Sequence, residues 1–210
     1  LIFSNEALVK PSGVSVAPFS YNSTFPYISD HPSIFRFIKF MTSNYPYKVK
    51  IIIIVRRQPE WLASFYSRVS SRITKPSQQD FEKQVKNILT NNKQYLFWSL
   101  WVEKLISLIG SENVLCMPME MMGQKTYWKN ICDFIGGKED EHNNIQEKRN
   151  TYSLGRNIYK IDHQNKKETS PSFLLSDNLI DEILDDKEIV IANKNLGKMI
   201  GEDLSKYGYY

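Results

Sequence analysis

At 210 residues, with 41% hydrophobic and 24% charged content, the chain has the composition of a globular protein built on one sizeable core, not of a disordered or fibrous one. Its net charge of +4 comes from 27 Lys and Arg scattered among 23 acidic residues, which argues against the basic stripe of a nucleic-acid binder and favours a few local cationic pockets. The longest strongly apolar run, Ile51 to Val55, is far short of the roughly 20 residues of a membrane-spanning helix, and with no secretory signal pattern the expected location is cytoplasmic.

The chain starts at Leu1 inside a short apolar strand, Leu1 to Ser4, so the sheet is expected to begin upstream and the domain to be truncated at its N-terminus. An irregular stretch rich in Pro, Ser, Tyr and Asn runs from Lys10 to Tyr27 and is a candidate wall for a ligand. Asp30 can cap a helix through Phe40, with Pro32 in its first turn and Ile34, Phe37, Ile38 and Met41 as its apolar stripe. Val49 to Val55 is a β-branched run interrupted only by Lys50, the pattern of a strand covered on both faces in a parallel sheet. Pro59 then opens a helix through Val69, with Glu60 in its first turn.

Helices are expected at Gln79–Leu89 and Gln94–Leu108, the second with Phe97, Leu100, Trp101, Leu105 and Leu108 on one side and Gly110 as its stop. Asn113 to Pro118 reads as a further strand, and Thr126 to Ile135 as a helix ending at Gly136-Gly137. Lys138 to Arg149 is a charged loop, and a last helix near Ile189–Lys206 buries Leu196, Met199, Ile200 and Leu204. Cys116 and Cys132 form no paired motif and read as buried thiols in a reducing compartment. His31, His142 and His163 lack ligand spacing, so no metal is expected. The alternation implies a single α/β domain over 1–210, with a mainly parallel sheet flanked by helices and a helix-rich C-terminal part.

The most informative stretch is Lys50-Ile51-Ile52-Ile53-Ile54-Val55-Arg56-Arg57-Gln58-Pro59-Glu60-Trp61-Leu62-Ala63-Ser64-Phe65-Tyr66. Open α/β sheets gather ligands at the carboxyl ends of their strands. Arg56 and Arg57 sit at such an end, and Ser64 falls in the second turn of the helix that follows. An Arg and a Ser hydroxyl beside a helix N-terminus can clamp a phosphate, although many parallel strands simply end in a basic residue.

Apolar strand, Arg, then Ser in the second helical turn followed by an aromatic and Tyr resembles the 3′-phosphate-binding motif of the sulfotransferase superfamily, in wording close to its bacterial carbohydrate-type branch. Further segments fall in the family's order. Trp101 through Ile109-Gly110, Asn113-Val114-Leu115 and Pro118-Met119-Glu120 is similar to its helix, strand and acidic turn. Ile131 to Gly136 resembles the helix end that follows, and Asn193 to Tyr209 resembles the branch's C-terminal helix and tail.

The resemblance implies a three-layer, P-loop-like fold and transfer of a sulfuryl group from 3′-phosphoadenosine-5′-phosphosulfate to a hydroxyl of a carbohydrate or glycoconjugate, with no metal. It maps the 3′-phosphate ligands onto Arg56 and Ser64, with Arg57 as second choice for the Arg. Lys148, Arg149 and Ser153 match a loop closing over the nucleotide, or else a plain solvated loop. Ser4-Asn5-Glu6 resembles a strand-end motif whose carboxylate, here Glu6, takes the acceptor proton; a structural glutamate is the competing reading. Glu120 is expected to brace the fold, and Trp61 and Tyr66 to pack the core rather than stack on adenine.

The sequence departs from the family in one respect: no K-x-G-T-T loop for the 5′-phosphosulfate occurs in it, Lys10-Pro11-Ser12-Gly13-Val14-Ser15 being only an echo. That loop is expected upstream of Leu1, and without it the chain alone is expected to be inactive. Two other readings use the same residues. A P-loop nucleotide kinase would need G-x-x-x-x-G-K-[ST], which does not occur in the sequence. A non-catalytic glycan- or partner-binding protein could use a sulfotransferase-like fold without the loop.

Overall fold

A computed structural model describes residues 32–45, 48–70, 76–137 and 173–210. The elements are α1 (Pro32–Asn44), β1 (Ile51–Val55), α2 (Gln58–Val69), α3 (Gln78–Asn91), α4 (Trp98–Ile109), β2 (Val114–Pro118), α5 (Lys125–Ile135), α6 (Asp177–Leu184) and α7 (Lys187–Ile200). Short 3-10 turns fall at Lys93–Leu96, Ser111–Asn113, Met119–Met121 and Leu204–Tyr207. The result is a mostly helical α/β structure with a two-stranded parallel sheet among the described residues. The strand expected at Leu1 to Ser4 lies outside them, as do the Lys10 to Tyr27 stretch and the Lys138 to Arg149 loop.

Parallel pairing runs in register from Ile51 opposite Val114 to Val55 opposite Pro118. Alternation along the strands divides their side chains between two faces. Val55 and Cys116 join Val102 of α4, Leu196 of α7 and Tyr209 in one cluster, while Ile52, Leu115 and Met117 join Tyr127 and Ile131 of α5 in another. Helices thus cover both faces of the strand pair, as the β-branched run predicts, although Ile54 stays 39% exposed. A larger cluster lies beside the sheet, where α2, α3 and α6 enclose Leu62, Tyr66, Phe81, Ile88 and Ile183. Lys50 donates to the Phe134 carbonyl and lies 5.0 Å over that residue's ring; a cation there suits the carbonyl end of α5.

Two helices differ from the sequence expectation. The helix expected over Gln94–Leu108 is broken at Phe97, whose φ of −91° and ψ of 81° separate a 3-10 turn from α4. The Leu96 carbonyl takes a hydrogen bond from the Gln58 amide, and the Trp98 indole donates to the Arg56 carbonyl. These bonds to the β1–α2 turn replace helical continuity and rotate the buried stripe to Ser99, Val102 and Leu105. Leu100 and Leu108 of the expected stripe are left exposed. The last helix ends at Ile200 rather than Lys206, and its buried face is Ile189, Ala192, Asn193, Leu196 and Gly197, with Met199 exposed. Leu204 is buried as expected, but from the 3-10 turn.

Asp186 ties this last helix to the 3-10 turn before α4. Its carboxylate accepts from the amides of Glu188 and Ile189 at 3.0 and 3.2 Å and pairs with Lys93 at 2.7 Å. Partial burial alone would raise its pKa; the Lys93 hydrogen bond, together with the two amides and the ammonium charge, outweighs that and holds it below the ordinary value. A depressed pKa contributes stability above the unfolded-state value, and that contribution is lost as pH falls through the folded-state value. Asp186→Ala should therefore cost about 1–2 kcal/mol at neutral pH. In urea unfolding, the gap from wild type should close progressively below about pH 4. A gap that persists undiminished at pH 2 would show that the carboxylate charge is not its source.

Candidate functional site

Because β1 and β2 are parallel and in register, their carboxyl ends open side by side. The turn after β1 carries Arg56 and Arg57; the turn after β2 carries Glu120. Arg57 is the N-cap residue of α2, with no side-chain cap of its own. Its backbone N–H donates to Glu120 Oε1 at 3.2 Å, bridging the two turns. Tyr209 donates its phenol to the other Glu120 oxygen at 2.9 Å. Burial first, and then the neighbouring Glu120 charge, drive the Tyr209 phenol far above its ordinary pKa, so it remains a donor. The acid expected to brace the fold does so, by accepting one bond on each oxygen.

The Arg57 guanidinium turns toward its own helix, with Nη2 at 3.2 Å from Glu60 Oε1. Gly208 lies against it: a Cβ there would stand 3.1 Å from Nη1, and the φ of +72° suits glycine. Arg57 Nε and Glu60 Oε2 are buried without a hydrogen-bond partner among the described residues. Arg57 is thus flanked by the carboxylates of Glu60 and, at its backbone, Glu120.

Arg56 precedes this cluster, half-buried, with its carbonyl held by the Trp98 indole at 2.9 Å. Ser64 is half-buried in α2. Standing one turn beyond Glu60, it occupies the helix face that carries the Arg57–Glu60 pair. Both residues therefore belong to one strand–turn–helix unit, as the sequence indicates. Trp61 packs against the helical core and meets Trp98 edge-on at 4.9 Å, and Tyr66 is fully buried against Phe81 and Phe173. Glu6, Lys148, Arg149 and Ser153 lie outside the described residues.

Under the turn lies a polar group that the sequence reading passes over. Gln58 and Asn193 are both fully buried and exchange amide hydrogen bonds, Gln58 Nε2 to Asn193 Oδ1 at 2.8 Å and Asn193 Nδ2 to Gln58 Oε1 at 3.3 Å. Asn193 also donates to the Tyr209 carbonyl at 2.9 Å. The available signal was an asparagine on the apolar face of α7, between Ile189 and Leu196. Both cysteines are buried, unpaired thiols, and burial pushes Cys116 up to about 12.

Among the described residues no helix is long and apolar enough to cross a membrane. No family model, no curated protein and no solved structure matches the chain.

Proposed function

We propose that the chain belongs to a sulfotransferase that moves a sulfuryl group from 3′-phosphoadenosine-5′-phosphosulfate to a hydroxyl of a carbohydrate or glycoconjugate, on a three-layer α/β fold. The observation that carries the reading is the β1–turn–α2 unit, with Arg56 at the carboxyl end of a parallel strand, Ser64 in the following helix and Glu120 on the adjacent strand's turn. It supports a nucleotide site because this end of a parallel sheet is where such ligands bind.

The resemblance assigns the phosphate to Arg56 in the first place and to Arg57 in the second. Arg57 already pairs with Glu60, and its backbone is bonded to Glu120; a phosphate there would meet two carboxylates. Arg56 would supply a charge-assisted fork and Ser64 a neutral donor to the 3′-phosphate. Lys148, Arg149 and Ser153 would close over the nucleotide. The co-substrate supplies the sulfuryl group. Glu6 takes the proton from the acceptor hydroxyl, that oxygen forms its bond to sulfur, the bond from sulfur to the 5′-phosphate oxygen breaks, and 3′-phosphoadenosine-5′-phosphate departs. Positioning and preorganised charge provide most of the rate.

Calorimetry with 3′-phosphoadenosine-5′-phosphate tests the assignment. Arg56→Ala should weaken binding about 10- to 100-fold and Ser64→Ala about fivefold, the sizes expected for a charged and a neutral hydrogen-bonding group. Variants that bind as tightly as wild type would remove both residues from the site.

A further inference from the structure

The bonds around the β1–α2 turn close into a ring. Gln58 and Asn193 join α2 to α7, Asn193 joins α7 to the Tyr209 carbonyl, the Tyr209 phenol reaches Glu120, and Glu120 accepts the Arg57 N–H. Arg57 and Gln58 are consecutive, so the circuit returns to its origin within one peptide unit. Every link crosses between segments remote in sequence, and Gln58, Asn193 and Tyr209 are fully buried. The bonds of Asn193 to Gln58 and to the Tyr209 carbonyl are buried and have no water to replace them, while the two bonds to Glu120 are partly buried; together they constrain the backbone they touch. Two members of the ring hold consecutive residues of the turn: Glu120 accepts the Arg57 amide, and Asn193 bonds the first side chain of the helix. Gly208 completes the enclosure by lying on the Arg57 guanidinium.

We infer that Tyr209 and Asn193 are positioning residues, whose ring through Glu120 and Gln58 fixes the Arg56–Arg57 turn and thereby sets the affinity of the carboxyl-end site for its anion. The ligand in this statement rests on the phosphate reading above; the hold on the turn does not.

Tyr209→Phe is the sharpest variant, because it removes one hydroxyl and leaves the ring packed. Amide hydrogen exchange is read at Arg57 and, as a reference, at Leu89 in the core of α3, alongside calorimetry with 3′-phosphoadenosine-5′-phosphate. Arg57 should exchange about tenfold faster while Leu89 stays within about twofold, and the nucleotide dissociation constant should rise about fivefold to tenfold. A merely structural role would accelerate both amides together. The inference is overturned if Arg57 exchange does not change or only follows Leu89. It is equally overturned if the wild type binds the nucleotide and the variant binds it as well. If the wild type does not bind the nucleotide, the phosphate reading fails by itself, and the Arg57 exchange alone decides the hold on the turn. Glu120→Gln keeps the shape and weakens both bonds to the acid; it should show the same split between Arg57 and Leu89, and supplies the test should Tyr209→Phe not fold.

Discussion

Asn193→Leu should destabilise the protein by about 3–5 kcal/mol, although leucine has as many side-chain heavy atoms as asparagine and favours helix more. The loss comes from partners left behind. Gln58 Oε1 loses its donor, Gln58 Nε2 keeps only the Leu96 carbonyl, and the Tyr209 carbonyl loses its donor. Each buried group left without a partner costs about 1–3 kcal/mol. For a chain of this length the thermal midpoint should fall by roughly 10 °C or more. Adding Gln58→Leu removes one stranded partner and should recover part of the loss. Full recovery is not expected, since the Leu96 and Tyr209 carbonyls would still face apolar side chains. A midpoint equal to or above wild type in the single variant would mean that Asn193 does not bond inside the core.

The parts of the fold that local chemistry determines were legible in the sequence. The β-branched run at Ile51 to Val55 marks a strand, and Pro59 with Glu60 marks the start of α2 to within a residue. From these two elements alone, Arg56, Arg57 and Ser64 fall at a strand's carboxyl end. Elements governed by distant partners were not legible. The break at Phe97 depends on the Gln58 amide and the Arg56 carbonyl, both on the β1–α2 unit. A stripe count over 94–108 cannot register either of them.

The ring around Arg57 shows the same limit at the site. Asn193 has ordinary polar chemistry, and only its position on the apolar face of α7 marks it. Tyr209 reaches Glu120 because the chain turns back after α7, a path set by the residues at the end of that helix. The sequence resemblance marked the segment Asn193 to Tyr209 without giving it a role. The structure gives it one: it carries the donor that occupies the second oxygen of Glu120. Arg57 illustrates the converse. By sequence it stands as the second choice to Arg56 for the phosphate, and its pairing with Glu60 becomes visible only in the structure.

Gly197→Ala should destabilise the protein by about 2–3 kcal/mol, against the gain of about 1 kcal/mol that alanine normally brings to a helix. A Cβ on Gly197 would lie 2.6 Å from the Glu202 carbonyl oxygen and 3.6 Å from the Leu204 side chain. The near contact is backbone, so no rotamer change relieves it; the chain leaving α7 must move. That chain is held by the bonds from the Gly201 and Glu202 amides to the Gly197 carbonyl, and it leads into the buried Leu204 and Tyr209. Displacement at Glu202 is therefore carried to Tyr209 and, through Glu120, to Arg57. Two readouts follow: a thermal midpoint lower by roughly 5–10 °C, and faster amide exchange at Arg57. Gly137→Ala is the control, because its Cβ would meet nothing closer than 3.6 Å, and it should change the midpoint by no more than about 2 °C. If Gly197→Ala raised the midpoint, the close approach of α7 to the Glu202 carbonyl would be wrong. If it lowered the midpoint without touching Arg57 exchange, the path from α7 through Tyr209 to the β1–α2 turn would be broken at Glu120.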